Sequence, residues 1–177
     1  MRVIAGLYRG RTLVAPRGSA TRPTSDRVRE AVFSILGDVG GLRVLDLFAG
    51  SGALGIEALS RGAGEATLVD SAGPAVEAIQ RNLNALGIEA EVVRAPAGRF
   101  IERARRADRQ YDLVFLDPPY RHGRHLGRDL TEALEPVLAT GARVLSESDR
   151  RHPLQLELDL TDERRYGDTL IRIYAAR

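Results

Sequence analysis

From Arg43 onward, short apolar runs alternate with longer stretches in which apolar positions recur at helical spacing. The runs at 43–48, 65–70, 89–94, 111–117 and 142–147 read as strands, and several are almost uninterrupted in Val, Leu and Phe. Strands that are apolar on both sides are covered on both sides, as in a parallel sheet flanked by helices. The stretches between them, 53–61, 72–86, 97–107 and 124–138, carry the period of helices packed along one face. This alternation predicts a three-layer α/β domain with right-handed crossovers. The pattern then changes. Residues 154–160 and 169–175 flank a polar turn with Gly167, and no helix separates them. They read as an antiparallel hairpin that closes a mainly parallel, seven-stranded, Rossmann-like sheet.

Upstream of the sheet, 2–5 and 12–15 are short β-prone runs on either side of Gly6 and Gly10. They predict a small N-terminal β-hairpin with Arg9 and Arg11 at its tip. Pro16–Pro23 reads as a loop rich in Pro, Gly, Ser and Thr. Ser25 or Asp26 can then cap a helix whose Val28, Ala31, Val32, Ile35 and Leu36 share one face, with Gly37 suited to the position past its end. The expected organisation is a basic arm over 1–22 and a single domain over 23–177.

Composition narrows the class. At 177 residues and 44% hydrophobic, the chain can bury one good core but hardly two. No apolar run reaches the roughly 18 residues of a transmembrane helix, and Met1–Ile4 does not open a secretory signal. The absence of cysteine excludes disulfides and thiolate metal sites. A cytoplasmic monomer is the expectation. All 26 basic residues are arginine. Residues 1–30 hold seven of them against Asp26 and Glu30, whereas the rest of the chain is slightly acidic. A basic arm on an acidic body fits an anionic partner, although a solvated charged face has the same composition.

Asp46-Leu47-Phe48-Ala49-Gly50-Ser51-Gly52-Ala53-Leu54-Gly55 ends the first strand of the α/β unit and opens its first helix. Gly50, Gly52 and Gly55 match G-x-G-x-x-G, and Asp70 ends the next strand. Glycines let backbone turn tightly and approach a ligand closely, and an acid ending the second strand can accept bonds from ribose hydroxyls. A nucleoside cofactor follows, either a dinucleotide or S-adenosylmethionine. Asp46 and the terminal hairpin tilt the balance toward the second. A carboxylate there suits a cationic amino-acid group and repels pyrophosphate, and the hairpin stands where a dinucleotide needs a second nucleotide-binding half.

Asp117-Pro118-Pro119-Tyr120 follows the strand at 111–117 and falls on the same rim of the sheet. Consecutive prolines stiffen the loop and remove two amide donors. An exocyclic base amine is a poor nucleophile because its lone pair is delocalised into the ring. Two acceptors on its N–H bonds, the Asp117 carboxylate and the Pro118 carbonyl, favour a pyramidal nitrogen able to attack a methyl group. Tyr120 can stack on the base, and a paired base must leave its stack to reach such a pocket. A stiff turn with a capping Asp and a packing Tyr is the plainer alternative.

These motifs resemble the class I methyltransferases with an (Asp/Asn)-Pro-Pro-(Tyr/Phe) signature. With Arg2–Gly6, Arg9–Arg11, Thr21–Glu30, Leu45–Gly55 and Glu57–Ala63, nearly the whole chain resembles the RsmD family of 16S rRNA (guanine-N2)-methyltransferases. The resemblance implies methyl transfer from S-adenosylmethionine to N2 of one guanine in 16S rRNA, within an assembling small subunit. It assigns Asp46, Phe48, Gly50, Gly52, Asp70 and Ala97 to the cofactor, the last through backbone groups near the adenine. It assigns Asp117, Pro118, Pro119 and Tyr120 to the target amine, and sets the N-terminal block over the mouth. Arg9, Arg11, Arg22, Arg27, Arg29, Arg121 and Arg124 are the candidate RNA contacts. No metal is called for, because a sulfonium already activates its methyl group. An adenine-N6 methyltransferase, a nonenzymatic RNA-binding assembly factor and an NAD-linked oxidoreductase are the competing readings.

Overall fold

The computed structural model describes residues 1–17, 25–118 and 126–176. Helix α1 (Asp26–Leu36) is followed by β1 (Arg43–Leu47), α2 (Ala53–Ser60), β2 (Glu65–Asp70), α3 (Gly73–Leu86), β3 (Glu91–Arg94), α4 (Ala97–Arg106) and β4 (Tyr111–Leu116). Helix α5 (Leu126–Leu134), β5 (Leu138–Asp149), β6 (Asp159–Tyr166) and β7 (Thr169–Ala175) complete the chain. The strands form one seven-stranded sheet in the order β3-β2-β1-β4-β5-β7-β6. Pairs among β1 to β5 are parallel, and β7 and β6 add antiparallel to that edge. The expected mainly parallel sheet with an antiparallel end is therefore present. The strand order reverses between β1 and β4, which opens a crevice at their carboxyl ends.

Two apolar layers cover the sheet. Val44, Leu68, Leu113, Phe115, Leu145 and Ile171 pack against α1, α2 and α3. Leu45, Leu47, Val69, Val114, Leu116 and Val144 pack against α4 and α5. Ser25 caps α1 by accepting the Val28 amide, and Gly37 ends the helix at φ 69°, a left-handed backbone that suits glycine. The helix buries Val28, Val32, Phe33 and Leu36. Phe33 meets the Phe115 ring at 5.8 Å between centroids, and full burial of such a side chain contributes roughly 1.5–3 kcal/mol. The Leu36 carbonyl accepts from Arg143, which pairs with Leu113 near the start of β4. Helix α1 thus runs against the strands, with its N-terminus toward their carboxyl ends.

Three elements depart from the sequence pattern. The strand expected at 154–160 is β6, shifted to Asp159–Tyr166, while Leu154 and Leu156 are buried beneath α5. The turn at Gly167 sets the register, pairing Tyr166 with Thr169, and β6 is the polar edge of the sheet. Helix α5 stops at Leu134; a 3-10 turn over Glu135–Val137 contains Pro136, and β5 begins at once. The N-terminal hairpin is present but short, with one antiparallel bridge, Arg2 to Thr12. Val3, Gly10 and Leu13 donate across it to Arg11, Val3 and Met1, and the amides of Ile4, Ala5, Leu7 and Tyr8 are claimed by α2. Ile4 and Ala5 donate to the Glu57 carboxylate at 2.7 and 3.0 Å, and Leu7 and Tyr8 donate to the carbonyl and hydroxyl of Ser60. Gly6 is needed there, because a Cβ would stand 1.7 Å from the Ser60 carbonyl oxygen. Val3 and Leu13 are buried in the layer shared with α1 and α2. The basic tip is consequently pinned to the C-terminal end of α2.

Candidate active site

The loop after β1 is built by its backbone. Phe48 lies at φ 63°, Gly50 at φ 56° and Gly52 at φ 77°, all left-handed. Gly50 faces open space, since a Cβ there would meet only the Phe48 carbonyl at 4.0 Å. Gly52 and Gly55 serve a different purpose. A Cβ on either would stand 2.8 or 3.0 Å from Leu68 Cδ2, so these glycines let α2 lie close on the sheet. That closeness brings the Gly55 amide to Asp46, whose Oδ2 accepts it at 2.9 Å. Asp70 ends β2 with both oxygens engaged, Oδ2 by the Gly50 amide and Oδ1 by the Ala72 amide, each at 2.9 Å. Its carboxylate is locked beside the glycine loop with lone pairs to spare.

Strand registers set the remaining acids. Leu47 pairs with both Val69 and Leu116, and Leu116 pairs with Ser146. One residue further on, Asp70, Phe48, Asp117 and Glu147 form a row across the carboxyl rim. Side chains alternate along a strand. Asp70 therefore shares its face with Leu68, Asp117 with Phe115, Glu147 with Leu145 and Asp46 with Val44. All four carboxylates belong to the face that carries α1 and α2. Phe48 is turned by its positive φ to the other face, where it packs half-buried against the layer under α4 and α5, as do Val93, Ala95 and Ala97. Ala97 opens α4 without a side-chain cap, so amides of its first turn face the rim.

Burial of the acids shapes their charge. Asp46 is 2% exposed. Burial pushes its pKa up to about 7, against the pull of the Gly55 N–H and with the help of the nearby Asp70 charge. Asp117 is held well above the usual carboxylate range by desolvation, then by the charges of Glu147 and Asp46. Two carboxyls raised by burial and by neighbouring negative charge favour a cationic or N–H-rich ligand that relieves the repulsion. Among the described residues no His, Cys, Asp or Glu group is arranged to hold a metal ion.

The residues anticipated from sequence are distributed unevenly. Asp46, Phe48, Gly50, Asp70, Ala97, Asp117 and the buried Pro118 come together on the rim. Pro119, Tyr120, Arg121, Arg124 and Arg22 lie outside the described residues. Arg27 is exposed on the first turn of α1, at the rim end of that helix. Arg29 does not reach a surface where RNA could meet it. It is 0% exposed, donates to Asp26 at 2.9 Å and to the Arg2 carbonyl, and lies 3.9 Å from Glu57, itself fully buried. Its charge is used to hold the N-terminal segment to α1 and α2. Arg9 and Arg11 are exposed but stand away from the mouth. Their turn is fixed at Ser60, and Arg11 donates to the Ala85 carbonyl, so both sit at the far ends of α2 and α3. Arg128 pairs with Glu132 one helical turn along at 2.9 Å. Glu147, Val93 and Ala95 carry no sequence signal of their own, and only the register brings them to the rim. No helix among the described residues is long and apolar enough to cross a membrane.

Comparison with known proteins gives this geometry a family. YlbH of Bacillus subtilis, provisionally named an rRNA methyltransferase, is 40% identical over 184 residues and spans 100% of both chains. Ribosomal RNA small subunit methyltransferase D of Escherichia coli is 42% identical over 125 residues, covering 70% of this chain and 62% of that one. The solved structure of yhhF from Escherichia coli, provisionally named a methyltransferase, superposes with a TM-score of 0.85 at 36% identity, covering 100% of this chain and 98% of that one. The family described as conserved hypothetical protein 95 matches residues 1–175, and the chain belongs to it, the RsmD family of class I methyltransferases.

Proposed function

We propose that this protein transfers a methyl group from S-adenosylmethionine to the exocyclic N2 of a specific guanine in 16S rRNA. The observation that carries the reading is the row Asp70, Phe48, Asp117, which sets a locked ribose acceptor and an amine acceptor on one rim at the sheet's switch point. The cofactor, when bound, supplies a methyl group made electrophilic by a cationic sulfur. The donor set fits it. Asp70 accepts from ribose hydroxyls, the open side of Gly50 admits the ligand to the backbone, and Asp46 favours its cationic amino-acid end. Phe48, Val93, Ala95 and Ala97 offer an apolar slot for the adenine, with α4 amides at its edge.

Asp117 and the Pro118 carbonyl accept the two N–H bonds of the target amine and hold its lone pair toward the methyl. A cation and two N–H donors beside Asp117 favour its ionised form, against the burial that raises its pKa. As the new N–C bond forms the nitrogen becomes acidic, and a carboxylate with a raised pKa is suited to take its proton. Tyr120 is the candidate to stack on the base, Arg22, Arg121 and Arg124 are the candidate phosphate contacts, and Arg27 is exposed on the first turn of α1. Arg9 and Arg11 reach RNA at a second place, about 12 Å away along the eight residues of α2. The partner is 16S rRNA in an assembling small subunit, bound by one copy of the protein.

Incubation with labelled S-adenosylmethionine and small-subunit particles from cells lacking the protein tests the proposal. Nucleoside mass spectrometry should find N2-methylguanosine at one position. N6-methyladenosine, or no labelled nucleoside, overturns it.

A further inference from the structure

We infer that Glu147 accepts the N1–H of the target guanine and so makes the site select guanine over bases whose N1 is an acceptor. This rests on the guanine-N2 reading above and names the group that reads the base. Three observations carry it. Glu147 follows Ser146, which pairs in parallel with Leu116, so it stands directly beside Asp117 on the neighbouring strand. Adjacent strands lie about 4.8 Å apart, which lets two carboxylates serve neighbouring donors of one planar base. Both side chains belong to the face of the sheet that carries α1, and Glu147 is only 4% exposed despite ending a row at the rim. The two groups also feel each other, since the Glu147 charge helps hold Asp117 above its ordinary range.

Guanine presents N1–H beside its N2 amine, two adjacent donors on one edge, with the O6 acceptor beyond them. A carboxylate accepts and does not donate when ionised. Two acids in a row suit that edge, and its hydrogens relieve their repulsion. In adenine the amine lies beside a bare N1 lone pair, which would face Glu147 and be repelled. The same holds for 2-aminopurine, which keeps the N2 amine but lacks N1–H. Discrimination on a missing donor is steep, because the carboxylate then faces a lone pair in place of a hydrogen.

The test uses small-subunit particles carrying either guanine or 2-aminopurine at the methylated position. The wild-type protein should prefer guanine by a factor on the order of 10³ or more in kcat/KM. In Glu147→Gln the amide can donate to N1, and the preference should fall by about 100-fold. Cofactor affinity and melting temperature report whether the variant is folded. Glu147→Asp should keep the sign of the preference at reduced rate, which a merely structural role would not predict. If Glu147→Gln does not fold, the wild-type protein still decides: equal methylation of both bases overturns the inference. An unchanged preference in a folded Glu147→Gln does the same, while N2-methylguanosine from the wild type leaves the parent reading standing. A wild-type product that is not N2-methylguanosine removes that parent reading instead.

Discussion

The cofactor role proposed for Asp46 sets ligand binding against stability, and the two can be measured separately. Its pKa stands at about 7 in the folded protein against an ordinary 3.8. Between those values the native state holds a proton that the unfolded chain releases, so this group's contribution is fullest below about pH 4 and is lost as pH rises through 7. A shift of about three units corresponds to roughly 4 kcal/mol at 1.36 kcal/mol per unit, an upper bound because local relaxation and water soften burial. Asp46→Asn removes the titration while its side-chain oxygen can still accept the Gly55 amide. The variant should match wild type near pH 4 and become more stable than it by about 2–4 kcal/mol at pH 8. Urea unfolding across that range, compared as a difference between the two proteins, isolates the effect. This matters because Asp112 and Glu91, held low first by their bonds to Arg43 and Arg109, contribute with the opposite sign. Calorimetry should meanwhile show at least about tenfold weaker cofactor binding by the variant at pH 8, the scale of a lost charged hydrogen bond. Wild-type affinity should decline as pH drops below 7. A stability difference that stays flat from pH 5 to pH 8 would falsify the assignment of a raised pKa to Asp46.

Further predictions concern the amine, the N-terminal segment and the RNA. Asp117→Ala should abolish methyl transfer while cofactor affinity by calorimetry changes little, and normal turnover would remove Asp117 from the reaction. Glu57→Ala leaves Arg29 buried without its carboxylate and strips the partners from Ile4 and Ala5, so a loss of about 3–5 kcal/mol is expected. A thermal midpoint within one or two degrees of wild type would contradict the clamp. Replacing Arg9 and Arg11 with alanine should weaken RNA binding and flatten its dependence on salt without altering cofactor affinity. An unchanged salt slope would mean that the tip never meets phosphate.

Much was legible in the chain because it is local. The period of Arg43–Leu47 or Tyr111–Leu116, the capping Ser25, the left-handed Gly37 and Gly50, and the acid ending β2 each follow from a few neighbouring residues and the stereochemistry of the backbone. These fix the layered α/β class and put the glycine loop and Asp117 on one rim, since parallel strands all end on the same side. What the tertiary structure alone decided was partnership across long intervals. Arg27 and Arg29 are alike in sequence, yet a carboxylate 28 positions beyond Arg29 makes one a buried clamp and leaves the other in solvent. Glu147 is one polar residue in a strand until the pairing of β5 with β4 sets it beside Asp117. The basic tip reads as a free hairpin until Glu57 and Ser60 claim its amides and carry it to the far end of α2. Periodicity tells which face a residue occupies; register and docking, set by contacts distant in the chain, tell what it faces.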